Sequence, residues 1–223
     1  MSPNRPILAV YGGTFDPFHL GHAAVCAAIL AEAQVSELRL IPCAIPVLKE
    51  GASATAEHRL QMLVQWQQAS PLRDRIQVDG QEIHRQGPSY TVDTIAALIA
   101  QWPEYRIVFV LGSDAWNSLP LWHRFAQLAS QVSFWVFSRS GAAAIRSHPE
   151  LIACGTKENF FKAESGRFWI EQGVQIPLSS SELRQTDDFE NWPVPLVIQN
   201  YIKEHNLYRN SAGLDRSERI NDR

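Results

Sequence analysis

The chain has 223 residues, 45% of them hydrophobic and 19% charged, with a formal net charge of -3. Its 7 Trp and 10 Phe exclude a largely disordered chain, because a solvated coil does not carry so many large apolar side chains. The mildly acidic balance argues against binding a nucleic-acid backbone by bulk electrostatics, and no apolar run approaches the ~20 residues of a membrane-spanning helix.

From the N-terminus, Ile7 to Tyr11 reads as a short buried strand ended by Gly12-Gly13. Leu20 to Ala33 is rich in helix formers, and Leu38 to Ile41 is a second strand stopped by Pro42. Strand, glycine turn, helix and strand in this order form a parallel crossover. Ala56 to Ala69 carries Leu60, Leu63, Val64 and Gln67 at helical spacing, and Ile76 and Val78 alternate with polar residues as a strand does. Thr91 to Gln101 is helix-like, with Ile95, Leu98 and Ile99 on one face. Ile107 to Leu111 is the clearest buried strand and Val132 to Phe137 another; Phe168 to Ile170 with Val174 to Ile176 is a candidate third. The polar segment 141–166 reads as a long excursion with some helix, and Pro195 to Lys203 as a closing helix. The last stretch, 210–223, has Leu214 and Ile220 as its only large apolar residues and reads as a disordered tail, leaving one expected domain over 1–209. The alternation of strands and helices predicts an α/β fold with a mainly parallel sheet.

The three cysteines, Cys26, Cys43 and Cys154, are widely spaced and match no zinc pattern; they fit buried packing in a reducing cytoplasm. The apolar run before Gly12 is too short for a secretory signal.

The strongest chemical signal is Gly12-Gly13-Thr14-Phe15-Asp16-Pro17-Phe18-His19-Leu20-Gly21-His22. It sets two glycines at the carboxyl end of the first strand and two histidines at a helix start. The glycines let backbone amides approach an anion, and the helix start adds N–H groups and a positive dipole end. Two imidazoles three residues apart can donate into the same phosphate site. The competing reading is a strand–helix turn whose histidines merely cap the helix.

This string is similar to the His-x-Gly-His signature of the nucleotidylyltransferase superfamily, and in full it resembles the bacterial nicotinate mononucleotide adenylyltransferases. Further elements follow in family order. Pro88-Ser89-Tyr90-Thr91-Val92-Asp93-Thr94 resembles the Pro-Ser-Tyr-Thr-x-Asp-Thr element, and Gly112-Ser113-Asp114 with Trp122 resembles the Gly-x-Asp and substrate-stacking Trp. Ser179-Ser180-Ser181-Glu182-Leu183-Arg184 resembles the late Ser-Ser-Thr-x-Ile-Arg element, and Tyr201-Ile202 with Leu207-Tyr208 the closing one. Leu48-Lys49 stands where the family usually has His-Lys or His-Arg, and Arg139-Ser140-Gly141 where Arg-Pro-Gly is common.

The resemblance implies a Rossmann-like, doubly wound nucleotidyltransferase that joins nicotinate mononucleotide to the adenylyl group of ATP and releases pyrophosphate. His19, His22 and Arg184 would then carry the chemical step. ATP and its phosphates would lie on Gly12, Gly13, Thr14, Phe15 and Gly21, on Gly112 and Asp114, and on Arg139, Ser179 and Ser180. Tyr90, Thr91, Trp122 and Lys49 would receive the mononucleotide. Mg²⁺ is expected to arrive with ATP, with no all-protein metal site, no nucleic acid and no membrane. Several choices stay open. Asp16 either orients the loop or reaches the metal through water, Asp114 binds a ribose or caps a helix, and Trp122 is platform or core. Pro120 and the residues after Trp122 suggest a helix N-terminus that would favour the acid over the amide, with His123 able to serve either. Alternatives are nicotinamide mononucleotide or pantetheine phosphate as acceptor, a cytidylyltransferase, and a non-catalytic nucleotide-binding regulator.

Overall fold

The computed structural model describes residues 5–44, 53–138, 144–172, 178–186 and 188–208. In chain order the elements are β1 (Ile7–Gly13), α1 (Leu20–Ala31), β2 (Val35–Pro42), α2 (Ala56–Ala69), β3 (Ile76–Val78), α3 (Gln81–His84), α4 (Thr91–Gln101), β4 (Arg106–Gly112), α5 (Ser113–Asn117), α6 (Phe125–Gln131), β5 (Ser133–Phe137), β6 (Ile152–Ala153), α7 (Lys157–Lys162), β7 (Arg167–Glu171), α8 (Ser180–Leu183) and α9 (Leu196–Glu204). The strands form one 7-stranded sheet in the order β3-β2-β1-β4-β5-β7-β6. All neighbouring strands pair in parallel.

Strand alternation explains the layering. In β1, Ile7, Ala9 and Tyr11 enter one core while Leu8 and Val10 enter the other. The middle strands repeat this: Val108, Val110, Trp135 and Phe137 face the first core, and Phe109, Leu111, Phe134 and Val136 the second. A strand buried on both faces needs apolar residues at successive positions, which is why these segments read as continuous apolar runs. Helices α1, α2, α7 and α9 close the first face through Ile29, Met62, Phe160 and Ile198, and α4, α5 and α6 close the second through Ile95, Trp116 and Leu128. The result is the doubly wound, Rossmann-like α/β arrangement the sequence implied.

Several boundaries differ from the sequence reading. The first helix ends at Ala31 rather than Ala33, and β2 starts earlier, at Val35. The buried face of α2 is rotated: Arg59, Leu60, Met62 and Leu63 are buried, whereas Val64 and Gln67 are only partly so. The excursion 141–166 contains helix α7 as expected, plus the unpredicted two-residue strand β6, which is exposed and so carries no burial pattern. Val174 to Ile176 and the tail 210–223 lie outside the described residues. Among the described residues, no helix is long and apolar enough to cross a membrane.

The strand order reverses between β1 and β4, since their crossovers run to opposite sides. Open α/β sheets bind ligands in the crevice at the carboxyl ends of such strands.

Candidate active site

A cavity of about 570 Å³ opens at that crevice, lined from β1 by Gly12, Gly13 and Thr14, from β2 by Cys43, and after β4 by Gly112 and Asp114. Its far wall is Tyr90, Thr91, Trp122 and His123. A second cavity of similar size, about 580 Å³, lies between α1, α2 and α9; its lining is almost wholly apolar and holds none of the predicted residues. The predicted residues gather at the first.

Gly13 is required by its neighbour. A Cβ there would meet the Phe15 ring at 2.9 Å, because Phe15 takes a left-handed backbone (φ 51°) and folds its ring back over the loop. That ring is buried among Tyr11, Phe18 and His22, with centroids 5.4, 5.8 and 5.1 Å away. Phe15 therefore contributes backbone to the loop, and its side chain is core. At Gly112 a Cβ would meet nothing within 4 Å, so the floor beyond β4 is open.

His19 is the N-cap of α1, and the pair forms a reciprocal capping box. The His22 N–H donates to His19 Nδ1 at 3.3 Å and the His19 N–H donates to His22 Nδ1 at 3.2 Å. The rings stack with centroids 3.7 Å apart. A ring nitrogen that accepts carries no proton, so each neutral imidazole holds its proton on Nε2. The capping reading and the phosphate-donor reading are thus compatible: Nδ1 builds the helix start and Nε2–H is the donating edge of each ring, that of His19 being buried. The helix start itself offers less than expected, because the Leu20 N–H donates to the Pro193 carbonyl at 2.8 Å and the His22 N–H is taken by the box.

Asp16, 1% exposed, orients the loop. Its carboxylate accepts from the Ser53 N–H at 2.7 Å, the Ala54 N–H at 3.1 Å and the Tyr208 hydroxyl at 2.7 Å. Burial, and next the Asp16 carboxylate, push the Tyr208 hydroxyl upward, so it remains a donor. Arg184 donates to the Asp16 carbonyl oxygen and lies 3.4 Å from Asp16 Oδ2. The Ser180 hydroxyl donates to the Pro17 carbonyl at 3.0 Å. These contacts seat the late Ser-Ser-Ser-x-x-Arg segment directly on the His-x-Gly-His loop.

Arg59 was missed. It is 1% exposed, and its guanidinium donates to the carbonyls of Thr14 at 2.8 Å, Cys43 at 2.7 Å and Ala44 at 2.9 Å. It clamps the Gly12-Gly13-Thr14 loop to the end of β2. The sequence signal was a charge on the apolar side of α2, visible only once the buried face is known. Glu82 was missed as well. Its buried carboxylate lines the cavity and accepts from the Thr94 hydroxyl at 2.7 Å, while Arg85 donates to that hydroxyl at 3.0 Å. Burial, opposed by hydrogen bonds from Thr94 and Ser89, pushes its carboxyl above the ordinary range.

Trp122 is half-buried. Its indole N–H donates to Ser118 Oγ at 3.1 Å, and its edge meets Phe109 with centroids 6.0 Å apart, yet it lines the cavity. It is core on one side and wall on the other. Tyr90 and His123 stack beside it at 4.2 Å. Tyr90 is the N-cap of α4 and makes no side-chain capping bond. The helix expected after Trp122 begins only at Phe125 and runs to Gln131, so the helix start that adjoins the cavity belongs to α4.

Of the predicted residues, Gly12, Gly13, Thr14, Tyr90, Thr91, Gly112, Asp114 and Trp122 line one cavity. His19, His22, Ser180 and Arg184 are joined to it through the loop, outside its lining, and Gly21 is buried beneath the histidines. Ser179 is the N-cap of α8 and makes no side-chain capping bond. Gly112, not Asp114, caps α5, which leaves Asp114 exposed on the rim. Lys49 and Arg139 lie outside the described residues. Among the described residues, no group of three or more His, Cys, Asp or Glu is placed to hold a metal ion.

Known proteins share this layout. The profile of the cytidylyltransferase-like family matches residues 10–186. A probable nicotinate-nucleotide adenylyltransferase of Marinomonas sp. strain MWYL1 is 36% identical over 216 residues, spanning 91% of this chain and 94% of its own length. One from Idiomarina loihiensis is 32% identical over 210 residues, spanning 91% and 99%. Plasmodium falciparum nicotinic acid mononucleotide adenylyltransferase complexed with NaAD superposes with a TM-score of 0.70 at 23% identity, covering 91% of this chain and 97% of its own.

Proposed function

The chain belongs to the cytidylyltransferase-like family, among the nicotinate-nucleotide adenylyltransferases, and from that premise we propose how its cavity carries the reaction. The enzyme transfers the adenylyl group of ATP to nicotinate mononucleotide, giving nicotinic acid adenine dinucleotide and pyrophosphate. The 5′-phosphate of the mononucleotide attacks the α-phosphorus in line; the P–O bond to pyrophosphate breaks and its electrons leave with that group. No covalent enzyme intermediate is needed, which suits a site furnished with donors rather than nucleophiles. Catalysis consists of positioning and of neutralising charge on phosphoryl oxygens.

The Nε2–H groups of His19 and His22 donate to the phosphates, and Arg184 receives the pyrophosphate end. Mg²⁺ bound with ATP would supply charge neutralisation on the phosphates, and no residue of the chain is assigned to hold it. Trp122 carries the pyridine ring. Thr91, opening α4 on the cavity wall, supplies first-turn amides suited to a carboxylate, which favours the acid over the amide. The nucleotide substrates and three free thiols fit a cytoplasmic enzyme.

The observation that carries this reading is the seating of Ser180 on Pro17 and of Arg184 on Asp16, which gathers donors from both ends of the chain at one phosphate loop. The test is pyrophosphate release from MgATP with a panel of acceptors: nicotinate mononucleotide, nicotinamide mononucleotide and pantetheine phosphate. Nicotinate mononucleotide should give the highest kcat/KM, and a clear preference for pantetheine phosphate would overturn the assignment.

A further inference from the structure

We propose that Tyr208 is a positioning residue for adenylyl transfer, setting through Asp16 how Arg184 is divided between the protein and the phosphates of ATP. The inference rests on Arg184 being a phosphate donor and goes further by naming what governs that side chain.

The chain is folded to bring Tyr208 there. Helix α9 ends in a Schellman turn: Asn206 takes a left-handed backbone (φ 50°), the Leu207 N–H donates to the Ile202 carbonyl at 3.0 Å, and the Asn206 N–H donates to the Lys203 carbonyl at 3.3 Å. The reversal delivers the Tyr208 hydroxyl to Asp16 Oδ1, across 192 residues of sequence. Its ring packs on Trp192 with centroids 5.5 Å apart, and Trp192 is itself pinned by a 2.9 Å bond from its indole N–H to Thr186 Oγ1, just beyond α8. Packing therefore fixes where the hydroxyl points.

Asp16 distributes four contacts. Oδ1 takes Tyr208 at 2.7 Å and the Ala54 N–H at 3.1 Å; Oδ2 takes the Ser53 N–H at 2.7 Å and Arg184 at 3.4 Å. The Arg184 contact is the longest of the four. Arg184 Nη1 also donates to the Asp16 main-chain carbonyl, its Nη2 reaches Ser181 Oγ at 3.4 Å, and its side chain is 25% exposed. The carboxylate is almost satisfied without Arg184, so its share in holding the guanidinium is the light and adjustable one, while the Asp16 carbonyl is the firm tie that keeps Arg184 at the loop where a phosphate arrives. Removing the Tyr208 hydroxyl leaves Asp16 short of a donor. The backbone amides of Ser53 and Ala54 are already placed, and Arg184 is the cationic donor able to compensate. It is drawn towards Asp16, and the phosphates then compete against a stronger partner.

The experiment compares four proteins: wild type, Tyr208→Phe, Arg184→Gln and the double variant. Tyr208→Phe keeps the ring on Trp192. It should raise the KM for ATP by about 3- to 10-fold while leaving the mononucleotide KM within about 2-fold, since only part of one charged hydrogen bond is transmitted. In the Arg184→Gln background the same change should have no further effect on the ATP term, which is the coupling that a general loss of packing would not produce. Equal changes in both KM values, the same factor in both backgrounds, or no change in Tyr208→Phe would overturn the proposal. Equilibrium binding of MgATP to the four proteins reads the same coupling without turnover. A failure of the acceptor assignment would therefore leave this test standing, and a failure of the coupling would leave the assignment standing.

Discussion

Replacing His22 separates the two tasks its ring performs. In His22→Ala the His19 N–H loses its Nδ1 acceptor, 3.2 Å away, and half of the capping box disappears. Loss of a cap of this kind costs ~0.5–2 kcal/mol. The ring also stacks on Phe18 with centroids 5.3 Å apart, and losing that contact adds to the destabilisation. At ~2–4 °C of Tm per kcal/mol for a chain of this size, the cap alone lowers Tm by roughly 1–8 °C, and the lost ring contact adds to it. The chemical loss is larger, because an electrostatic donor at a developing charge contributes ~10²–10³ in kcat. His22→Asn divides these terms. Its amide oxygen occupies about the place of Nδ1 and can accept from His19, but nothing stands where Nε2–H was. Thermal melts should show the Asn variant recovering part of the stability, while pyrophosphate release stays ~10²–10³ below wild type. If turnover returns together with Tm in the Asn variant, His22 is only a cap, and the phosphate-donor role is refuted.

Other outcomes follow from single contacts. Trp122→Ala should raise the mononucleotide KM by about 10-fold or more and leave the ATP KM nearly unchanged; because the ring is half core, its stability loss should fall below the ~3–5 kcal/mol of a fully buried Trp. A full-sized loss with unchanged KM would make it core alone. Glu82 has a carboxyl raised by burial, so its contribution to stability is present below the unfolded value and lost as pH rises through the folded one. Glu82→Gln, which keeps an acceptor for Thr94, should therefore melt higher than wild type near pH 8, and the gain should shrink towards about pH 4. A pH-independent difference would contradict the assigned burial effect. Arg59→Met removes four carbonyl clamps at once and should lower Tm strongly, by the loss of several charged hydrogen bonds; an unchanged Tm would show that the loop holds itself.

What could be read in advance was whatever has a local period or a local motif. Helices α2 and α4 and strand β3 came out with the expected limits, because repeating apolar positions mark where an element runs, although the face read for α2 was rotated. Helices α3, α5 and α6 are four, five and seven residues long, too short to show a period. The first motif was legible because its glycines, aspartate and histidines sit within eleven residues. Its supports were not. Asp16 is held from positions 37, 38, 168 and 192 residues away, and no pattern in the string announces those partners. Phe15 shows the limit from the other side, since it lies in the phosphate motif while its ring belongs to the core. Arg59 reads as a surface charge until the sheet places it under the loop. A buried cation bonded only to carbonyls is a long-range arrangement, visible once Thr14, Cys43 and Ala44 are brought together.

The most direct measurement of the central claim is product identification. The protein is incubated with MgATP and nicotinate mononucleotide, and dinucleotide and pyrophosphate are quantified together, with nicotinamide mononucleotide run in parallel. Nicotinic acid adenine dinucleotide and pyrophosphate should appear in equal amounts, with kcat/KM for the acid at least ~10-fold above the amide, the scale of one or two charged hydrogen bonds to the carboxylate. Pyrophosphate without dinucleotide, or equal turnover of the amide, would contradict it.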